Sequence, residues 1–173
     1  MSDDIIEPVR HTVTVPLPVE RAFSVFTDGF DKWWPRSHRI GATEIAEAVL
    51  EPRAGGRWYE RSADGSECDW GRVLVFEPPH RLVVTWHING QWQYDPDPGH
   101  ASEVEVRFTE DAGHTRVDLE HRHIERHGGS AVQLSEAVAS QNGWSVILGA
   151  TRRSRPTRRP GRDASPHAAE RLR

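Results

Sequence analysis

From Val9 to Val15 the chain alternates, with Val9, His11, Val13 and Val15 on one face and Thr12 and Thr14 on the other, the period of a half-buried strand. The period then changes. Pro18 suits the first turn of a helix, and Phe23 and Phe26 fall on one helical face. Gly29 ends this helix, and Phe30 to Pro35 has room only for a second short turn, because a proline biases the residue before it away from helical geometry. From Thr43 onward, turn signals recur at short intervals: Pro52 to Gly56, Ala63 to Ser66, Glu77 to His80, Asn89 to Ser102 and Asp111 to Gly113. Such spacing predicts an antiparallel meander with strands over 44–50, 57–61, 68–76, 81–88, 103–109 and 115–123. Val104, Val106 and Phe108 alternate with Glu103, Glu105 and Arg107, and Val117 and Leu119 alternate with Arg116, Asp118 and Glu120, so each strand buries one face. After Gly128 and Gly129, Ser130 is placed to cap a long helix carrying Leu134, Val138, Trp144, Ile147 and Leu148 at helical spacing, with Gly143 marking a kink or close packing.

The predicted order is strand, two short helices, six strands, long helix. This is an α+β chain in which a curved antiparallel sheet has one apolar concave face and a single amphipathic helix covers it. Space left between the two is a cavity.

Composition narrows the class. At 173 residues the chain has room for one domain with a real core. Hydrophobic residues make up only 36%, yet seven Trp and five Phe supply large apolar side chains. No apolar run approaches the ~20 residues of a membrane helix, and the Met1 to Pro8 segment lacks the pattern of a signal peptide, so the expectation is a cytoplasmic protein without a membrane partner. Cys68 is the only cysteine, which rules out an intrachain disulfide and any cysteine-based zinc site. Lys32 is the only lysine among 22 basic residues, a bias that suggests a GC-rich bacterial genome. The net charge of −4 hides an asymmetry: residues 1–150 are strongly acidic and residues 151–173 strongly basic. The domain is therefore placed at 1–150, followed over 151–173 by a basic tail with no apolar period, the composition of a disordered segment. The tail lacks interleaved aromatics, and a nucleic-acid partner is not expected.

Several motifs resemble, in order, the domains of the activator of heat-shock-protein ATPase homologue-like family within the START-like (SRPBCC) superfamily. They are Pro18 to Thr27 followed by Trp33-Trp34-Pro35, Glu51 to Glu60, Trp70 to Leu74, Glu77 to Trp86, Val117 to His121 and Gly143-Trp144. The ordered set spans roughly residues 8 to 149. The resemblance implies a helix-grip fold, a cavity between the sheet and the C-terminal helix, and ligands such as lipids, polyketides or other small hydrophobic molecules. Relatives in the superfamily include polyketide cyclases and aromatases, ligand carriers and co-chaperone domains, so the fold alone does not select an activity. The family's final helix usually continues past the Gly-Trp pair with apolar residues, whereas here Arg152 and Arg153 begin the basic tail.

On this architecture the expected ligand-lining residues are Trp58, Glu60, Trp70, Arg72 and Trp86 from the middle strands. Val106, Phe108, Val117, Leu119 and His121 follow from the later ones, and Trp144 from the helix. Glu60 shares a strand face with Trp58, and Arg72 shares one with Trp70 and Leu74. A carboxylate and a guanidinium in an apolar cup orient a polar head group, and the alternative is an ordinary surface pair. His121 and His123 continue the face of Val117 and Leu119, and His11 joins them from the first strand. Imidazoles there suit proton exchange in an enolisation or aldol cyclisation, the alternative being a structural or solvated role. A metal site from His121, His123 and His127 is not expected, because no carboxylate or cysteine stands at ligand spacing. No phosphate-binding glycine loop and no nucleophile elbow occurs, and no cofactor is expected. Trp33, Trp34, Trp92 and Tyr94 belong to loops, either at a pocket mouth or in a satellite core, and the long Asn89 to Ser102 stretch has the length of a lid.

The leading expectation is a small apolar-ligand-binding module. The alternatives are a cyclase- or aromatase-type enzyme using His121 or Glu60 as acid or base, and a chaperone-associated interaction domain.

Overall fold

The first strand closes the sheet against the last. In the computed structural model, which describes residues 6–33 and 43–139, β1 (Val9–Val15) pairs antiparallel with β7 (His114–Arg122), placing Val13 opposite Val117 and His11 opposite Leu119. Between them in sequence lie α1 (Val19–Thr27), α2 (Phe30–Trp33), β2 (Ile45–Leu50), β3 (Arg57–Ser62), β4 (Glu67–Glu77), β5 (Arg81–Trp86) and β6 (Ser102–Asp111). The strand order is β1-β7-β6-β5-β4-β3-β2, every pair antiparallel. It is the expected meander, with β1 returned to the β7 edge. A 3-10 stretch, Ile124–Ser130, leads into α3 (Ala131–Ala139). This is the α+β helix-grip fold. Within the described residues the final helix runs to Ala139; Gly143, Trp144, Ile147 and Leu148, like Trp34 and the basic tail, lie outside them.

Alternation on β6 and β7 does what the sequence predicts. Val104, Val106, Phe108, Val117 and Leu119 are all buried on one face, and the register sets Val106 opposite Leu119 and Phe108 opposite Val117. α1 covers one end of this face: Phe23 meets Phe76 and Phe108 edge-on at 5.4 and 5.1 Å, and Phe26 meets Phe108 at 5.7 Å. Such pairs add to simple area burial. α3 contributes Leu134 and Val138, both buried. The outer face differs from expectation at Glu105, which is buried rather than solvated. Burial disfavours its charge, but hydrogen bonds from Arg81 and Arg122 and the nearby charge of Arg107 outweigh that and hold its carboxyl down at about 2.

Two irregularities bend β4. Trp58 pairs with Gly71 and Tyr59 with Asp69, leaving Trp70 as an extra residue, and Val73 pairs with Val84 but Val75 with Val83, leaving Leu74 extra. Each bulge curves the sheet and re-aims side chains. At the first bulge there is no room for a side chain: a Cβ on Gly71 would stand 1.9 Å from the Thr85 carbonyl oxygen and 2.5 Å from Trp58 Nε1.

Candidate ligand site on the concave face

Three tryptophans from three adjacent strands meet at the centre of the concave face. Trp58 of β3 lies 5.5 Å from Trp70 of β4 and 5.8 Å from Trp86 of β5, and Trp70 and Trp86 are 5.1 Å apart, centroid to centroid. The protein itself accepts each indole N–H: Trp58 donates to the Thr85 carbonyl at 2.7 Å, Trp70 to Glu60 Oε1 at 3.0 Å and Trp86 to the Ile88 carbonyl at 2.7 Å. With the polar edges satisfied internally, the rings offer only carbon faces to anything beside them. Phe30 of α2 meets Trp58 edge-on at 6.1 Å, extending the aromatic surface toward the short helices.

Polar groups at the edge of this surface are few and buried. Glu60 is fully buried beside Trp70. His121, also fully buried, sets its ring 5.0 Å from Trp86. Its Nε2 lies 2.8 Å from Ser102 Oγ, and the same hydroxyl lies 2.8 Å from His127 Nε2. Burial, and then the charge of His127, push His121 down to about 3. Burial pushes His127 down to about 4, with the Asp95 carboxylate opposing and His87 and His100 reinforcing the shift. Both imidazoles are therefore neutral near pH 7, and the Ser102 hydroxyl stands between them.

Of the expected lining residues, Trp58, Glu60, Trp70, Trp86, Val106, Phe108, Val117, Leu119 and His121 come together in the buried interior. Trp144 lies outside the described residues. Arg72 does not join them. The bulge at Trp70 turns it to the solvent side, where it pairs with Asp69 at 3.2 Å, and Leu74 is likewise 45% exposed. Glu60 and Arg72 thus form no pair. His123 also departs from the inner face: β7 ends at Arg122, and His123 takes a left-handed conformation at φ 62° that leaves it beside Glu125. His11 does face inward, and burial lowers it from its ordinary value. Trp92 and Tyr94 are exposed and wall a groove of about 560 Å³ with Arg57 and Cys68.

Sequence reasoning missed Ser102 and His127. Ser102 was open to detection, since it shares parity with Val104, Val106 and Phe108 and pairs with Trp86. His127 was not, because only the turn at Gly128, with φ 67° inside the 3-10 stretch, brings it in.

The model of the family described as Activator of Hsp90 ATPase homolog 1-like protein matches residues 16–150. No curated protein matches the chain. Among solved structures, an anthrahydroquino-gamma-pyrone synthase, Txn09, is 42% identical over 88% of this chain and 98% of its own, with a TM-score of 0.61. The self-sacrificing resistance protein CalC from Micromonospora echinospora is 34% identical over 87% of this chain and 94% of its own, with a TM-score of 0.62. Protein NE0264 from Nitrosomonas europaea shares the fold, at 16% identity and a TM-score of 0.59 over 88% of this chain and 94% of its own. Among the described residues no helix is long and apolar enough to cross a membrane.

Proposed function

The chain belongs to the activator of Hsp90 ATPase homolog 1-like protein family, and from that premise we propose that it binds a small apolar molecule of aromatic polyketide type against the concave face of its sheet. One observation carries this reading: the Trp58, Trp70 and Trp86 rings form a continuous aromatic surface whose N–H groups are all satisfied by the protein. Such a surface favours flat, carbon-rich ligands through area burial and offset ring contacts. Glu60 and His121 at its edge supply the few polar anchors that fix orientation in apolar sites. The 42% identity to a synthase named for an anthrahydroquinone-pyrone product supports fused aromatic rings as the ligand class.

The test is calorimetric titration with 1,8-dihydroxyanthraquinone. The wild-type chain binds it, whereas Val106→Trp and Val117→Trp, which fill the interior from adjacent strands, weaken binding and still melt cooperatively. Unchanged affinity in both variants removes the reading.

The second reading, an enzyme of cyclase type, rests on the His121–Ser102 contact at the edge of the aromatic surface. A neutral imidazole held against a bound hydroxyaromatic can take or return a proton, the step that enolisation requires. Loss of turnover in His121→Ala with affinity retained distinguishes an enzyme from a carrier. The chaperone-interaction reading draws on the family description, but the exposed large apolar residues among the described ones, Leu74, Trp92, Tyr94 and Val132, are spread over β4, the 89–101 loop and α3.

A further inference from the structure

We propose that the groove walled by Trp92 and Tyr94 is a saccharide site that takes the pyranose ring of a neutral sugar, an assignment that goes beyond the ligand-binding reading above and does not rest on it. The groove, of about 560 Å³, lies between the 92–94 segment and Arg57, Glu67, Cys68 and Asp69 of β3 and β4, and its size falls within the ~300–1,000 Å³ of small-molecule sites. None of the concave-face tryptophans lines it. Trp58, Trp70 and Trp86 have their N–H groups accepted by the protein and so favour a guest of carbon alone. The groove is different: among the described residues the Trp92 indole N–H, the Tyr94 hydroxyl and the Gln93 carboxamide have no hydrogen-bond partner, and all three side chains are exposed. A guest there meets ring faces and polar groups together.

The opposite wall is charged but balanced. Arg57 donates to Asp69 Oδ1 at 2.6 Å and to Glu67 Oε1 at 3.1 Å, Arg72 to Asp69 Oδ2 at 3.2 Å, and Arg61 to Glu67 Oε2 at 3.3 Å and to Glu47. The guanidinium groups of Arg57, Arg61 and Arg72 thus face the carboxylates of Glu47, Glu67 and Asp69, so neither a cation nor an anion finds a net opposite charge. A purely apolar guest fares no better, because it strips water from these ions and returns no hydrogen bond. What the wall offers is acceptor capacity. An ionised carboxylate has about four lone-pair sites; Asp69 fills three of them, with Nε and Nη2 of Arg57 and Nη1 of Arg72, and Glu67 fills two. Hydroxyl groups suit what is left, since each donates to a carboxylate and still accepts from an indole or amide N–H.

A pyranose combines both characters, with hydroxyls around its rim and C–H groups on its faces. The C–H face packs on an aromatic ring through area burial and dispersion, and Trp92 and Tyr94 are 42% and 40% exposed for that contact. Both rings are held in place. The His87 ring lies 5.6 Å from Tyr94 at 32°, and Ile88 bridges to Tyr94 across the turn. Trp92 takes φ 61°, the left-handed region where glycine fits without a Cβ penalty. Asn89 fixes that turn: its carbonyl accepts from Trp92 N–H, and its Oδ1 accepts from Gln91 and Gln93 N–H. A bulky ring kept in that region is a local cost of the kind that gathers at ligand sites.

Saturation-transfer NMR with methyl β-D-glucopyranoside, methyl β-D-galactopyranoside and methyl α-L-rhamnopyranoside tests the site. At least one binds the wild-type chain with a dissociation constant of about 1–10 mM, the range of a shallow, water-lined groove, and receives its strongest transfer at ring C–H protons. Trp92→Gly weakens that binding by about fivefold or more. It also relieves the positive φ, so the variant melts cooperatively and loss of the sugar is not loss of the fold. Tyr94→Leu, which keeps apolar bulk but no ring, gives a loss of the same order. Saturation with 1,8-dihydroxyanthraquinone leaves the sugar signal in place. Transfer to none of the three glycosides overturns the saccharide site, and so does unchanged affinity in Trp92→Gly or in Tyr94→Leu. Displacement of the sugar by the anthraquinone puts it on the concave face and overturns the groove as its site. Absence of anthraquinone binding removes the reading of the concave face alone, and the glycoside titrations then decide the groove by themselves.

Discussion

Trp70 donates its indole N–H to Glu60 across the β3–β4 ladder at 3.0 Å, with both side chains buried. The carboxylate does for the indole what water does at a surface, and removing it leaves an unsatisfied donor in the interior. Glu60→Leu should therefore destabilise the chain by about 1–3 kcal/mol, while Glu60→Gln, which keeps an acceptor oxygen, should lose less. Urea denaturation at neutral pH checks the ordering; equal losses would show that the acceptor is not what matters.

Stability should fall as pH drops below neutrality, in two stages. His121 and His127 bind protons at about 3 and about 4 in the folded chain, against an ordinary 6.5. Between those values the unfolded chain holds more protons, so the stabilisation is fully present above about pH 6.5 and is lost as pH falls, by up to about 1.4 kcal/mol per pH unit for each histidine. Glu105, held at about 2 against 4.5, adds a second loss below about pH 4.5 as its arginine partners lose the carboxylate. His127→Gln should make the slope of stability against pH shallower in the upper window without abolishing it, since His121 and His11 are lowered as well, read from denaturation midpoints at a series of pH values.

Gly71→Ala should be among the most damaging small substitutions. The added methyl meets the Thr85 carbonyl and the Trp58 indole nitrogen, and the latter already donates to that carbonyl. Overpacking at backbone typically costs about 1–3 kcal/mol, and the loss of the Trp58 hydrogen bond adds about 1 kcal/mol more. A melting temperature close to wild type would show that the bulge has room to open.

Arg72→Ala should change stability by no more than about 0.5 kcal/mol, because an exposed pair with Asp69 contributes little. Affinity for 1,8-dihydroxyanthraquinone should also be unchanged. Trp58→Ala, at the centre of the aromatic surface, should cost about 3–5 kcal/mol. The contrast between two residues adjacent to one bulge is measured by thermal melts and calorimetry on the pair.

The strands were legible because alternation on β6 and β7 is unbroken, so that Val104 to Phe108 and Val117 to His121 point where parity says. β4 was legible in extent but not in direction. An uninterrupted period of two put Trp70, Arg72 and Leu74 on one face, and the extra residues at Trp70 and Leu74 break that parity without a mark in the sequence beyond Gly71. Glu105 was read as an outward, solvated charge. Its burial depends on Arg81 and Arg122 from neighbouring strands, a tertiary fact that no local pattern carries. His127 entered the sequence reading only within a metal set that was not expected; the structure instead sets its Nε2 2.8 Å from Ser102 Oγ, just before the turn at Gly128.

The backbone of the 89–101 loop packs directly against the entrance to α3. Gly90 N–H donates to Ser130 Oγ at 2.9 Å, and a Cβ on Gly90 would lie 2.3 Å from the Ser130 carbonyl oxygen. Further along the same loop, Asp95 N–H is tied to the His87 carbonyl at 2.9 Å. The loop is therefore held at two points, by the helix entrance at Gly90 and by His87 and Ile88 just past the end of β5, the latter through Asp95 and Tyr94. A guest wide enough to lift the helix from the sheet has to part Gly90 from Ser130, so that single seam is where entry meets its first resistance.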